Sequence, residues 1–198
     1  MKRVATIGAL LITLGISLNV VGLPVKAESS PDAVVVAPEL SPYFKGMSER
    51  LGLTGTGKRV FALSNPTCVP TLPEGQQGVY YLGKISILAP CLNDTTHTVT
   101  VAHEYLHAVW ERTPVEQKAL ITQDLKTFYT THAYQVAPRF TTYRNHNFTE
   151  EQLVNEYHSI FGTEINDADL PPRLRGWYAH WLPNRSVLPS LCCSGNAR

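Results

Sequence analysis

The sequence predicts an α+β domain: a small antiparallel sheet, in the form of a hairpin, packed on one central helix, with further helices toward the C-terminus. Three observations carry this. Residues 98–112, TVTVAHEYLHAVWER, are apolar at Val99, Val101, Ala102, Leu106, Ala108, Val109 and Trp110, the composition of a helix that crosses a core. Before it, two β-prone runs, 79–82 and 85–88, meet at Gly83-Lys84, and a two-residue loop with glycine first suits a tight hairpin. After it, Thr149-Glu150-Glu151-Gln152 forms a capping box, whose side chains satisfy the first free amides of a helix. That helix runs through Leu153, Val154, Tyr157, Ile160 and Phe161 and stops near Gly162.

Taken in order, residues 1–27 read as a secretory signal. Lys2 and Arg3 precede an uncharged, mostly apolar run over 4–21, and Val25-Lys26-Ala27 offers small residues for cleavage before Glu28. The run is long enough to span a bilayer, so an uncleaved N-terminal anchor is the alternative. Either way the domain is expected outside the cytoplasm, secreted or anchored through residues 4–21. Residues 28–42, with Pro31, Pro38 and Pro42, read as a linker. The domain proper is expected over 43–184. It begins with a short helix over 43–53, stopped by Gly52, Gly55 and Gly57, and a strand over 58–64. A turn-rich loop with Pro66, Pro70 and Pro73 leads to the hairpin. Residues 93–96, Asn-Asp-Thr-Thr, supply N-cap candidates for the central helix. Thr113-Pro114 starts another helix, over 115 to about 133, which Pro138 ends, and 141–147 read as a polar loop. A last helix follows Pro171-Pro172 and closes at Pro183, and 185–198 read as a tail.

The 198-residue chain is 43% hydrophobic and 17% charged, enough apolar material for one compact domain. Its formal charge of +1 becomes −2 without residues 1–27, because these carry Lys2, Arg3 and Lys26 and no acid. A concentrated basic surface is lacking, which argues against nucleic acid as a partner. Four cysteines in an exported chain imply a disulfide, and Cys68 and Cys91, which flank the hairpin, are the expected pair. Neither belongs to a C-x-x-C pair, so zinc ligation by them is the minor reading. Cys192 and Cys193 are neighbours, and a bond between neighbours is strained.

The central helix also carries chemistry. His103-Glu104-Tyr105-Leu106-His107 fits H-E-x-x-H, and residues four apart lie on one helix face. Two imidazoles can therefore point into one small volume, as a tetrahedral zinc ion requires. Glu104 is displaced around the helix and need not ligate; it can face the open position and take a proton from water there. A catalytic zinc needs a third protein ligand. Glu156, on the capping-box helix among apolar neighbours, is the best candidate. Its rivals are Glu111, one turn past His107; His158, off the Glu156 face; His132 and His146, in poorly defined regions; and Glu164, beyond Gly162.

His103-Glu-Tyr-Leu-His107, followed by Asn155-Glu156-x-x-Ser159, resembles the gluzincin (thermolysin-like) metallopeptidases. The hairpin before the central helix is also similar to that family's. The resemblance implies a zincin-like fold and a zinc ion held by His103, His107 and Glu156. In the family an aspartate following the serine orients a zinc-bound histidine; here Ile160 stands there, and the sequence assigns no substitute. Such enzymes often set a Tyr or His opposite the base to stabilise the developing oxyanion. Tyr178 and His180 are the candidates, with Tyr157 and His158 near the metal in sequence.

The expected function is therefore an exported zinc metalloendopeptidase. Glu104 acts as general base, and an extended peptide pairs with the free edge of the hairpin. Two other classes stay open: a non-catalytic zinc-binding cell-surface module, and a membrane-tethered sensor.

Overall fold

The computed structural model of the chain describes residues 36–91, 97–145 and 148–193, with side chains over 36–91, 97–132 and 148–192. The expected signal sequence, most of the expected linker, the cap candidates at 93–96, His146 and residues 194–198 lie outside the described residues. Helix α1 (Pro42–Arg50) has proline in its first turn, where the missing amide costs nothing. It ends as expected: Gly52 takes a positive φ of 70°, and the amides of Leu51 and Gly52 turn back onto Met47 and Glu49.

The expected strand over 58–64 is a helix, α2 (Gly55–Leu63). Gly57, Val60, Phe61 and Ser64 are buried while Lys58 and Arg59 face solvent. That spacing of three, four and seven is a helix face, and strict alternation is missing. Phe61 meets Phe44 and Tyr105 edge-on, at 6.2 and 5.8 Å between ring centroids.

Strands β1 (Thr67–Val69), β2 (Gly78–Tyr81) and β3 (Lys84–Leu88) form one sheet in the order β1-β3-β2. The hairpin β2–β3 is antiparallel, but β1 joins β3 in parallel, so the sheet is mixed rather than antiparallel. β1 occupies only the three residues between Pro66 and Pro70, too short a run to stand out from a loop. Tyr81 pairs with Lys84, which places the turn at Leu82-Gly83, one residue earlier than expected. Both turn residues have positive φ, 47° and 77°, the form that suits the right-handed twist of a two-stranded ribbon. Ile85 and Ile87 point from β3 into the core. Cys68 and Cys91 are disulfide-bonded, with Cα atoms 6.0 Å apart, and tie β1 to the segment after β3. Such a bond belongs to oxidising compartments outside the cytoplasm.

Helix α3 (Thr98–Arg112) is buried from Thr98 to Trp110 and is the centre of the molecule. The sheet lies on one side of it and α5 (Glu150–Glu164) on another. Between them in sequence, α4 (Val115–Asn145) continues past Pro138 into the stretch expected as a loop. Its break falls at His132, whose φ and ψ of −125° and 16° are not helical. A proline removes one hydrogen bond from a helix and need not end it. α5 opens with the expected capping box but runs through Gly162 to Glu164. Gly162 is there for closeness: a Cβ on it would lie 2.3 Å from Leu106 of α3 and 2.7 Å from the Tyr178 ring.

α6 (Pro172–Trp181) follows, and then, instead of a tail, a 3-10 turn (Arg185–Val187) and α7 (Leu188–Cys193). Arg185 is buried because it caps α5, donating to the carbonyls of Phe161, Gly162 and Ile165 and to Asp167. Leu188 is wholly buried, and Cys192 packs against the core. Among the described residues the fold is a mixed α+β arrangement of seven α-helices and one three-stranded sheet. No helix there is long and apolar enough to cross a membrane.

Candidate metal centre

His103 and His107, one turn apart on α3, bring their Nε2 atoms to 3.1 Å from each other. Glu156, from α5, spans the pair: one carboxylate oxygen lies 3.6 Å from His103 Nε2 and the other 3.6 Å from His107 Nε2. Bonds of 2.0–2.1 Å in a tetrahedron separate the ligand atoms by roughly 3.3 Å. The triangle of donors therefore has the size of three corners of a zinc-type site. All three residues are buried, and their ligand atoms lie within 4.8 Å of one another. They can hold a metal ion.

The protonation pattern agrees. His107 Nδ1 lies 3.0 Å from Asn155 Oδ1, which can only accept, so the proton sits on Nδ1 and the Nε2 lone pair faces the cluster. Ser159 Oγ is 3.2 Å from the same Nδ1. Asn155 and Ser159 thus orient His107 from the face of α5 that carries Glu156. The residues Asn155-Glu156-x-x-Ser159 were visible in the sequence, but nothing in their spacing said which histidine they serve. His103 Nδ1 has no hydrogen-bond partner among the described residues. Ile160, where an orienting aspartate would stand, is an apolar core residue.

Glu104 projects beside this cluster and does not join it. Burial raises its carboxyl pKa to about 7. Neighbouring Glu156 contributes to that rise, and a hydrogen bond from the backbone amide of Tyr80 opposes it. Two buried carboxylates oppose each other's ionisation, a conflict that a divalent cation relieves.

Strand β2 lies along α3 over a stripe formed by Thr100, Glu104, His107 and Glu111, at helix spacings of four, three and four. Gly78 sits where a Cβ would lie 2.6 Å from Thr100 Cγ2 and 3.0 Å from Glu104 Cγ, so glycine alone lets the strand this near. Tyr80 stacks on the His107 ring, 6.4 Å between centroids at 20°. Its hydroxyl donates to Glu111 and accepts from Arg112 Nη1 at 2.9 Å. Burial raises the Tyr80 phenol pKa to about 12. Gly78 and Tyr80 escaped the sequence reading, because a strand read alone does not reveal which helix it crosses.

The oxyanion candidates make their contacts with other groups. Tyr178 has no exposed surface, and its hydroxyl donates to the His158 carbonyl at 2.8 Å, a core role that leaves nothing for a substrate. His180 faces solvent on α6 with its ring against Trp181. Tyr157 stacks between Tyr129 and Phe161. His158 accepts from Trp177 Nε1 at 2.8 Å, and burial drives its pKa well below the usual range, so it is a neutral core histidine. Of the other rivals for the metal, Glu111 is bound to Tyr80, and His132 stacks on Phe128 at the break in α4. Glu164 lies eight residues beyond Glu156, roughly 12 Å along the helix. Compared with family models, curated proteins and solved structures, the chain finds no match, and the site rests on its own geometry.

Proposed function

We propose that the chain is an exported zinc metallopeptidase of gluzincin type, with His103, His107 and Glu156 as metal ligands and Glu104 as general base. The observation that supports it is a three-donor cluster with a separate buried carboxylate beside it on the same helix. A site built only for stability closes on four protein ligands and has no use for such a group. Two imidazoles and one carboxylate suit zinc.

A zinc ion bound there supplies Lewis acidity toward a peptide carbonyl and lowers the pKa of water. Glu104 takes a proton from the attacking water and hands it to the departing amide nitrogen.

The substrate's place follows from the sheet. The amide of Leu88 bonds to the Gln77 carbonyl, and alternation then pairs Val79 with Ser86 and Tyr81 with Lys84. Gly78 and Tyr80 turn their backbone groups off the other edge of β2, toward Glu104, where an extended peptide can add as a strand. Export is supported by the disulfide and by the character of residues 1–27.

Elemental analysis with a generic protein substrate tests this. The expected result is one zinc per chain and hydrolysis that stops on chelation. Glu156→Ala should weaken metal binding about a hundredfold or more, while Glu151→Ala and Glu164→Ala bind normally. Glu104→Gln should keep the metal and lose about 10²–10⁴-fold in hydrolysis. Undiminished hydrolysis in Glu104→Gln, or full metal retention in Glu156→Ala, overturns the assignment.

A further inference from the structure

β2 is a four-residue edge strand whose outer edge faces Glu104, so its distance from α3 sets the surroundings of that carboxylate. β3 holds it along the other edge only. Its tip is no anchor: Tyr81 and Leu82 are exposed. Gly78 has no side chain to grip with, and Val79 points to the opposite face of the sheet. Tyr80 is the one β2 side chain that reaches across α3. Its ring stacks beside His107 and its hydroxyl ends between Glu111 and Arg112. The strand runs so close to Glu104 that a Cβ on Gly78 would lie 3.1 Å from Glu104 Oε1, and the Tyr80 amide, off the same edge, is the backbone donor to that carboxylate. Arg112 is itself steadied, donating from Nη1 to the Ala108 carbonyl at 3.1 Å.

We propose that Tyr80 is a positioning residue: its side chain, clamped by Glu111 and Arg112, fixes β2 against α3 and thereby holds the Tyr80 amide on the Glu104 carboxylate. The clamp grips α3 one turn beyond His107, while the group it serves lies at Glu104. It acts through the rigid strand between them. Its catalytic consequence rests on the metallopeptidase reading; the geometry does not.

The two are separated by measuring amide hydrogen exchange and kinetics on the same variants. The residue 80 amide points off the free edge of β2, so the sheet does not protect it and Glu104 does. Tyr80→Phe and Glu111→Ala should each speed its exchange about tenfold, the worth of one net hydrogen bond. The amides of Ile85 and Leu88, bonded to the Ser64 and Gln77 carbonyls, should be unaffected, as should zinc stoichiometry. kcat/KM should fall about tenfold, because both the base and the strand edge offered to the substrate are disturbed. Glu111→Gln, which keeps an acceptor for the phenol, should recover most of what Glu111→Ala loses. Unchanged exchange at residue 80 in both disruptive variants overturns the proposal, whatever the kinetics. If exchange responds but the wild type hydrolyses nothing, the positioning role stands and the peptidase reading fails.

Discussion

Glu104 is a buried carboxylate on the central helix, and its titration carries a stability consequence. Its pKa is about 7 folded against an ordinary 4.5, so between these values the folded chain holds a proton that the unfolded chain has released. The group's contribution is intact below pH 4.5 and is lost as pH rises through 7. In metal-free protein, Glu104→Gln should therefore stabilise the fold by on the order of 3 kcal/mol at pH 8 and by almost nothing at pH 4. Denaturant titrations in chelator at both pH values measure this. An equal effect at the two would mean that the carboxylate is not desolvated as the packing implies. Residues 103, 104 and 107 were legible as chemistry because a single helix fixes their spacing. Tyr80 and Asn155 were not assigned a role, since each acts on α3 from another element.

Two glycines inside helices show how packing overrides propensity at the scale of the element. Gly162 of α5 lies against Leu106 and Tyr178, whereas Gly176 of α6 has nothing within 4 Å of where a Cβ would stand. Alanine is the better helix former by about 1 kcal/mol at either position. Gly176→Ala should accordingly raise stability by about 0.5–1 kcal/mol. Gly162→Ala should lower it by about 2 kcal/mol, because the added methyl forces α3 and α5 apart. Thermal unfolding of the pair decides, and a stabilising Gly162→Ala would contradict the close approach. The same tension explains two misread elements. α5 was expected to stop at Gly162, although its glycine serves the neighbouring helix. α2 was expected as a strand, although its buried positions recur at helical spacing.

For the molecule as a whole, the C-terminal segment completes the core. Arg185 stays charged at neutral pH, burial lowering its pKa only to about 10, and its cation lies 5.5 Å from the Tyr178 ring. It satisfies the end of α5, whose last carbonyls have no helical partner. Arg185→Met keeps much of the volume and removes the donors, leaving buried carbonyls of Phe161, Gly162 and Ile165 unpaired. The expected loss is on the order of 3 kcal/mol, read from denaturant unfolding. Because α5 carries Glu156 and Asn155, metal affinity should fall with it. A variant as stable as wild type would return residues 185–193 to the status of an appendage.

The sequence by itself determined what local spacing can encode: the apolar helix with its two histidines, the hairpin, the capping box ahead of Glu156, and the Cys68–Cys91 pair. Each is a short-range pattern tied to a helical or strand period, or the product of a small number of cysteines. Only the tertiary structure decided what lies between elements. It set Glu156 opposite His103 and His107, gave Asn155 to His107 and laid β2 along α3. It also buried Tyr178 in the core, added β1 in parallel, and folded residues 185–193 of the expected tail onto α5. These depend on which faces meet across tens of residues, and the packing of whole elements selects among contacts that the local pattern permits equally.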